Sequence, residues 1–198
     1  MTRILIVDDE EPILKSLRRL LTLTPCTVGS TNFKITVDCF SSPAEALQKA
    51  KHTAYGLVIS DYRMPGMNGV EFLKEFRKIQ PHTPRLILSG YADLNGLIKA
   101  INEAEIIRFI SKPWNDYELV ATLGQILAMH ELTLENQRLA DQVRLAAGTI
   151  SAEEIERKRL ESETPGITQV TWGPDGSVLL DESLFDEEPY GKSLTNQG

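Results

Sequence analysis

Short apolar runs alternate with stretches of helical periodicity along most of this chain. Residues 3–7 (RILIV) end at Asp8-Asp9-Glu10-Glu11, which predicts a buried strand carrying carboxylates to its C-terminal end. From Pro12 to Leu23 the apolar Ile13, Leu14, Leu17, Leu20 and Leu21 recur at helical spacing, and proline is tolerated in a first turn. Phe33 to Phe40 alternates apolar with polar, then Ser41-Ser42-Pro43 caps a helical AEALQKA. Residues 55–60 (YGLVIS) run into Asp61 and the turn-rich YRMPGMNG, ahead of a helix from about Val70 to Gln80. A fourth run, Arg85 to Leu88, ends at Ser89-Gly90 and precedes a helix around 93–103. A fifth, Ile106 to Ile110, ends at Ser111-Lys112-Pro113. Five strands alternating with helices predict an α/β fold with a parallel sheet covered on both faces. The polar TPCTVGSTN before Phe33 is longer than such a connection needs, and the pattern assigns it no role.

Sites in open α/β sheets form beyond the carboxyl ends of the strands. Asp8, Asp9, Asp61, Ser89 and Lys112 all fall there. Three clustered carboxylates repel unless a cation joins them, and Mg²⁺ suits the task because it takes oxygen ligands while bridging carboxylates to a phosphate. A carboxylate can attack a phosphoryl group when metal and cation spread the charge of the transferring oxygens. The pattern therefore makes Asp61 the nucleophile on a central strand, Asp8 and Asp9 the metal ligands, and Lys112 the cation paired with phosphoryl oxygens, with the Ser89 hydroxyl able to turn toward them. Taken singly, Asp8-Asp9 reads as a helix cap, Ser89 as a turn residue and Phe109 as core; the set reverses those readings.

In this order, DD after the first strand, the aspartate of VISDYRMPGMNG, LSG after the fourth strand and FISKPW after the fifth resemble the receiver domain of two-component response regulators, over residues 1 to about 125. The resemblance implies a flavodoxin-like, doubly wound sheet of order 2-1-3-4-5 and transfer of phosphate to Asp61 from a histidine kinase or phosphotransfer protein. It also implies a backbone carbonyl of Arg63 on the metal, Ser89 as switch hydroxyl, Phe109 as switch aromatic and a cis peptide at Lys112-Pro113. Signalling would follow from the charge added at Asp61, which draws Ser89 inward and lets Phe109 rotate. Tyr91 stands where it could shape water access or simply lie on the surface. His52, His82 and His130 have no evident partners in the pattern.

Helical composition continues past residue 125 to about Ala147. Met129, Leu132, Asn136, Leu139, Val143, Ala146 and Ile150 alternate spacings of three and four, as in a coiled-coil seam with Asn136 at an a position. A homodimer through 126–150 is favoured over a helix packed on its own receiver. Ser151-Ala-Glu-Glu154 then resembles a capping box for a helix to about Glu163. The expected organisation is a receiver over 1–125, a helical extension over 126–163, a small β-hairpin over 164–181 and an acidic disordered tail over 182–198.

Charge sharpens the output. Residues 1–150 hold 17 basic and 17 acidic side chains, whereas 151–198 hold 4 and 11, so no basic patch follows the receiver and direct DNA binding is disfavoured. No apolar run reaches the roughly 18 residues needed to span a bilayer, and nothing resembles a signal peptide; a cytoplasmic protein with no membrane contact is expected. Cys26 and Cys39 make no metal or disulfide pattern. Output through an unidentified protein partner is the leading expectation. A phosphorylation-independent scaffold is the alternative, which the intact acidic set disfavours. An aspartyl-phosphate hydrolase of the haloacid dehalogenase type would need a second aspartate where Arg63 stands, so no enzyme activity is expected.

Overall fold

The computed structural model describes residues 1–90 and 104–168, together with the backbone of 171–172 and 178–179. Strands β1 (Thr2–Val7), β4 (Ile35–Phe40), β5 (Leu57–Asp61), β6 (Arg85–Gly90) and β7 (Arg108–Lys112) form one sheet in the order β4-β1-β5-β6-β7. Every pairing is parallel. Counted along the chain as sheet strands, this is the order 2-1-3-4-5 of a flavodoxin-like fold.

The period of two along β1 explains the layers. Ile4 and Ile6 face one core with α1 (Glu11–Leu23) and α4 (Asp116–Ala146), where Leu14, Leu17, Leu119, Leu123 and Leu127 meet them. Leu5 and Val7 face the other, with α2 (Pro43–Ala50) and α3 (Gly69–Ile79), against Ala46, Phe72 and Phe76. Strands buried on both faces read as unbroken apolar runs. The helices start as their caps dictate: Ser42 accepts from the Glu45 amide, and Asn68 forms a capping box with Glu71. At the base of the sheet, Arg85 donates to the Ala104, Pro81 and Thr83 carbonyls. That buried guanidinium fixes the chain where it enters the approach to β7.

The expected strand Phe33–Phe40 is divided. Cys26–Val28 (β2) and Thr31–Phe33 (β3) form an antiparallel hairpin, and the sheet strand begins only at Ile35. Gly29, at φ +57°, makes the turn. The hairpin lies on α4: Cys26 is buried with its Sγ 3.8 Å from the Val120 carbonyl oxygen. A Cβ at Gly124 would stand 2.8 Å from Val28 Cγ2 and 3.3 Å from Cys26 Sγ, so glycine is what lets the two elements touch.

Helix α4 runs unbroken through 31 residues, capped by Asn115. Gly148, at φ +69°, ends it, and α5 (Ala152–Glu163) follows behind the Ser151 cap. Lys158 of α5 stands 3.8 Å from Asp141 of α4. Past α5, Glu161 accepts from the Gly166 and Thr168 amides and Pro165 is buried. Residues 169–198 form a separate unit in which β8 (Thr171–Trp172) and β9 (Val178–Leu179) pair antiparallel. The expected helix at 93–103, Tyr91, the hairpin turn at 173–177 and the tail at 182–198 lie outside the described residues. Among the described residues, no helix is long and apolar enough to cross a membrane.

Gly124→Val is expected to lift the hairpin from α4 at a cost of about 1–3 kcal/mol. Urea unfolding together with faster reaction of the Cys26 thiol with a disulfide reagent would register it; wild-type reactivity would disprove the contact.

Candidate functional site

Three strand ends meet in one cluster. Asp8 follows β1, Asp61 closes β5 and Lys112 closes β7. The Lys112 ammonium lies 2.7 Å from Asp8 Oδ2 and 2.5 Å from Asp61 Oδ1, with Glu10 at 3.9 Å. Asp8 is fully buried and Asp61 nearly so. Asp8 has two tasks, since its other oxygen, Oδ1, accepts from the Glu10 amide at 2.9 Å and so shapes the turn into α1. Turn-shaping and site roles therefore coincide in one carboxylate.

Asp61 is held from the loop side as well. Oδ2 accepts from the Arg63 amide at 2.6 Å, and the loop is tied to the sheet by Tyr62 N–H donating to the Leu88 carbonyl and Gly69 N–H to the Tyr62 carbonyl. A Cβ at Gly69 would stand 1.9 Å from the Asp61 carbonyl oxygen. The first residue of α3 must therefore be glycine for the loop to close on the strand end. Buried Ser60 donates to that same carbonyl at 2.9 Å.

The electrostatics follow from burial. Desolvation raises the Asp8 pKa above its ordinary value, only partly offset by the hydrogen bonds from Lys112 and the Glu10 amide. Desolvation also pulls on Lys112 in the direction of neutrality, but hydrogen bonds to Asp61 and Asp8 outweigh it and hold the ammonium pKa above the ordinary lysine value. Lys112 thus stabilises the fold fully below the unfolded lysine pKa, and that stabilisation is lost as pH rises through the higher folded value.

Ser89 is buried and its hydroxyl donates to the adjacent Gly90 carbonyl at 3.1 Å. Phe109, on β7 beside Ile87 of β6, is 42% exposed. Asp9 is exposed, and among the described residues no three His, Cys, Asp or Glu side chains converge into a metal-holding group. The structure thus brings together Asp8, Asp61 and Lys112, with the Arg63 amide beside them, and leaves Asp9 and Phe109 turned outward. Lys112-Pro113 is cis. Burial, then the His82 charge, lowers the His130 pKa. Sequence reasoning missed Glu10, Ser60 and Gly69. Only Gly69 left a signal, at the end of the PGMNG turn.

A sheet of this order with an acidic pair and a lysine at its strand ends defines a receiver-type protein. The chain belongs to the response regulator receiver domain family, whose profile matches residues 4–124. It is similar to the hydrogenase transcriptional regulatory protein HoxA of Bradyrhizobium diazoefficiens, 31% identical over 91% of this chain and 34% of that one. The HoxA of Cupriavidus necator is 36% identical over 67% of this chain and 27% of its own length. The chain therefore spans about a third or less of these relatives. Among solved structures, it resembles an uncharacterized protein from Neptuniibacter caesariensis (39% identity, TM-score 0.61, 69% of this chain and 95% of that one). It also resembles the signal receiver domain of an HD domain-containing protein from Pseudomonas fluorescens Pf-5 (36%, TM-score 0.60, 68% and 92%).

Because burial disfavours the charged form of Asp8, Asp8→Asn is expected to stabilise the metal-free protein near neutral pH. The difference should vanish as pH falls through the folded Asp8 pKa, where the wild type takes up the proton itself. Urea titrations of both proteins across that range measure it, and a destabilised Asp8→Asn at neutral pH would contradict the assignment.

Proposed function

We propose that the chain is a phosphorylation-switched regulator in which Asp61 accepts a phosphoryl group from a histidine kinase or phosphotransfer protein. The carrying observation is the Lys112 ammonium bonded at once to Asp8 and Asp61. In that position one cation offsets part of the charge of two buried carboxylates and stands beside the oxygen that would attack. In the transfer, an Asp61 carboxylate oxygen forms the new bond to phosphorus as the bond to the donor nitrogen breaks, and the electron pair leaves with the donor. Lys112 then pairs with a phosphoryl oxygen. The Arg63 amide holds Asp61 Oδ2 and fixes the carboxylate plane.

The donor set fits Mg²⁺. Asp8, Asp61 and the Arg63 carbonyl are hard oxygen donors, and the cation would leave room for water and phosphate oxygens. Exposed Asp9, next along the chain, would be the further carboxylate for the ion. When bound, the ion would supply charge neutralisation between the carboxylates and the incoming phosphoryl group. Ser89 would exchange its bond to Gly90 for one to a phosphoryl oxygen, and Phe109 would turn into the space it leaves.

The output we assign to protein contacts and to a homodimer through α4 within 126–150. Met129, Leu132, Leu139 and Val143 are 67, 62, 48 and 69% exposed, an apolar stripe at heptad spacing on one helix. The equal basic and acidic counts of residues 1–150 give no electrostatic footprint for DNA, and the composition fits a cytoplasmic protein.

Incubation with a small phosphodonor and magnesium should label the wild type at one group per chain, leaving Asp61→Asn unlabelled; equal labelling would sink the assignment. Beryllofluoride with magnesium should shift the Ser89 and Phe109 resonances and change the mass seen by light scattering. A chain indifferent to it on both counts would be a phosphorylation-independent scaffold instead.

A further inference from the structure

The hairpin that interrupts the path from α1 to β4 has no part in the phosphoryl chemistry, yet it is seated on α4. Its strand β3 brings Thr31 and Phe33 alongside Ala128, Glu131, Leu132 and Glu135 of α4, enclosing a groove of about 340 Å³. Leu132 belongs to this groove and to the exposed stripe as well. On the other flank of α4, Thr133, Gln137 and Asp141 face Lys158 of α5 across a second hollow, of about 560 Å³. With about 100° per residue, the stripe of Met129, Leu132, Asn136, Leu139 and Val143 lies between these two flanks. It is the floor of a channel walled by the hairpin on one side and by α5 on the other.

One helix fits such a channel, and the stripe specifies which. Spacings of three and four match an identical helix, and an amide at an a position is satisfied by the same amide of a parallel, in-register mate. In that pairing the two-fold axis sets the hairpin flank of each copy against the α5 flank of the other. The flanks differ in charge. Glu131 and Glu135 rim the groove, whereas Arg144 and Lys158 outnumber Asp141 on the α5 side.

Resting on the reading that α4 pairs with a second copy, we propose that the β2–β3 hairpin is part of the homodimer interface. The groove beside Thr31, Phe33 and Leu132 receives the α5-facing flank of the second copy's α4. The hairpin thereby selects the parallel partner and excludes helices that carry only a matching apolar stripe. Gly124 is its foundation, because only a glycine there lets the hairpin sit low enough to wall the channel.

The test uses the full chain in sedimentation experiments, with and without beryllofluoride and magnesium. Thr31→Arg places a long side chain into the groove. Asn32→Arg makes the same charge change one residue along, on the opposite face of β3, and Leu139→Arg breaks the stripe. Circular dichroism and phosphodonor labelling check that each variant is folded. The expected result is a dimer dissociation constant raised about tenfold or more by Thr31→Arg, unchanged by Asn32→Arg, and a monomer for Leu139→Arg. If both hairpin variants dimerise as the wild type does while Leu139→Arg does not, the hairpin is not in the interface, although the pairing through α4 stands. Equal weakening by Thr31→Arg and Asn32→Arg would reduce the effect to net charge and overturn the proposal. A wild type that stays monomeric in both states would overturn the pairing and the hairpin's role together.

Discussion

Two carboxylates buried at the ends of neighbouring strands can coexist only if something positive stands between them, and here that is Lys112. Parallel pairing of β1 with β5 brings Val7 level with Ser60, so Asp8 and Asp61 emerge side by side at the same edge. Two strands over, register sets Lys112 opposite Gly90, and its long side chain reaches back across the strand ends. Removing Lys112 from this set would leave two buried carboxylates uncompensated, at a cost of roughly 3–5 kcal/mol. The cluster is thus as much a condition on the sheet as a feature of the site. It is also a poised one, because the burial that raises the Asp8 pKa means the carboxylates gain from any additional cation that shares them.

Much of this was legible in the sequence because it depends on one-dimensional patterns. The five strand-like runs gave the sheet, and the residues at their ends had to gather at one edge once the strands were parallel. Boundaries were less legible. Lys112 reads as lying beyond the fifth strand but is its last residue, and Phe33 reads as the first residue of a strand to which it does not belong. In each case a short segment satisfies the alternation rule while hydrogen bonding, which the pattern does not encode, decides the outcome.

Contacts between segments distant in sequence were not legible. Nothing in the composition of TPCTVGSTN indicates that Cys26 and Val28 will rest on a helix nearly a hundred residues later, or that Gly124, which looks like a weakness in a helical run, is the place where they do so. Gly69 is similar: it reads as the end of a turn and proves to be the position where α3 meets the Asp61 backbone. Both glycines report a close approach between two elements, and a close approach has no signature until both partners are placed. His82 and His130 also meet only through the fold.

The link between the site and the helix proposed to carry the output is short. Only Pro113, Trp114 and Asn115 separate Lys112 from the first residue of α4, and Asn115 caps that helix through the Glu118 amide. The first three turns of α4 are then locked into the core through Leu119, Leu123 and Leu127, while the part beyond Ala128 carries the exposed stripe. The helix runs unbroken, with no proline to kink it. A displacement of Lys112 consequently has three residues in which to be absorbed before it meets a rigid element. The hairpin grips that element within its buried first third, at Val120 and Gly124, ahead of the exposed part. A small rotation of α4 about that grip would be read out along the stripe as a change in which side chains face a mate. The residues that close the site and the hairpin that holds α4 therefore act on a single structural member, the helix to which the proposed dimer contact is assigned.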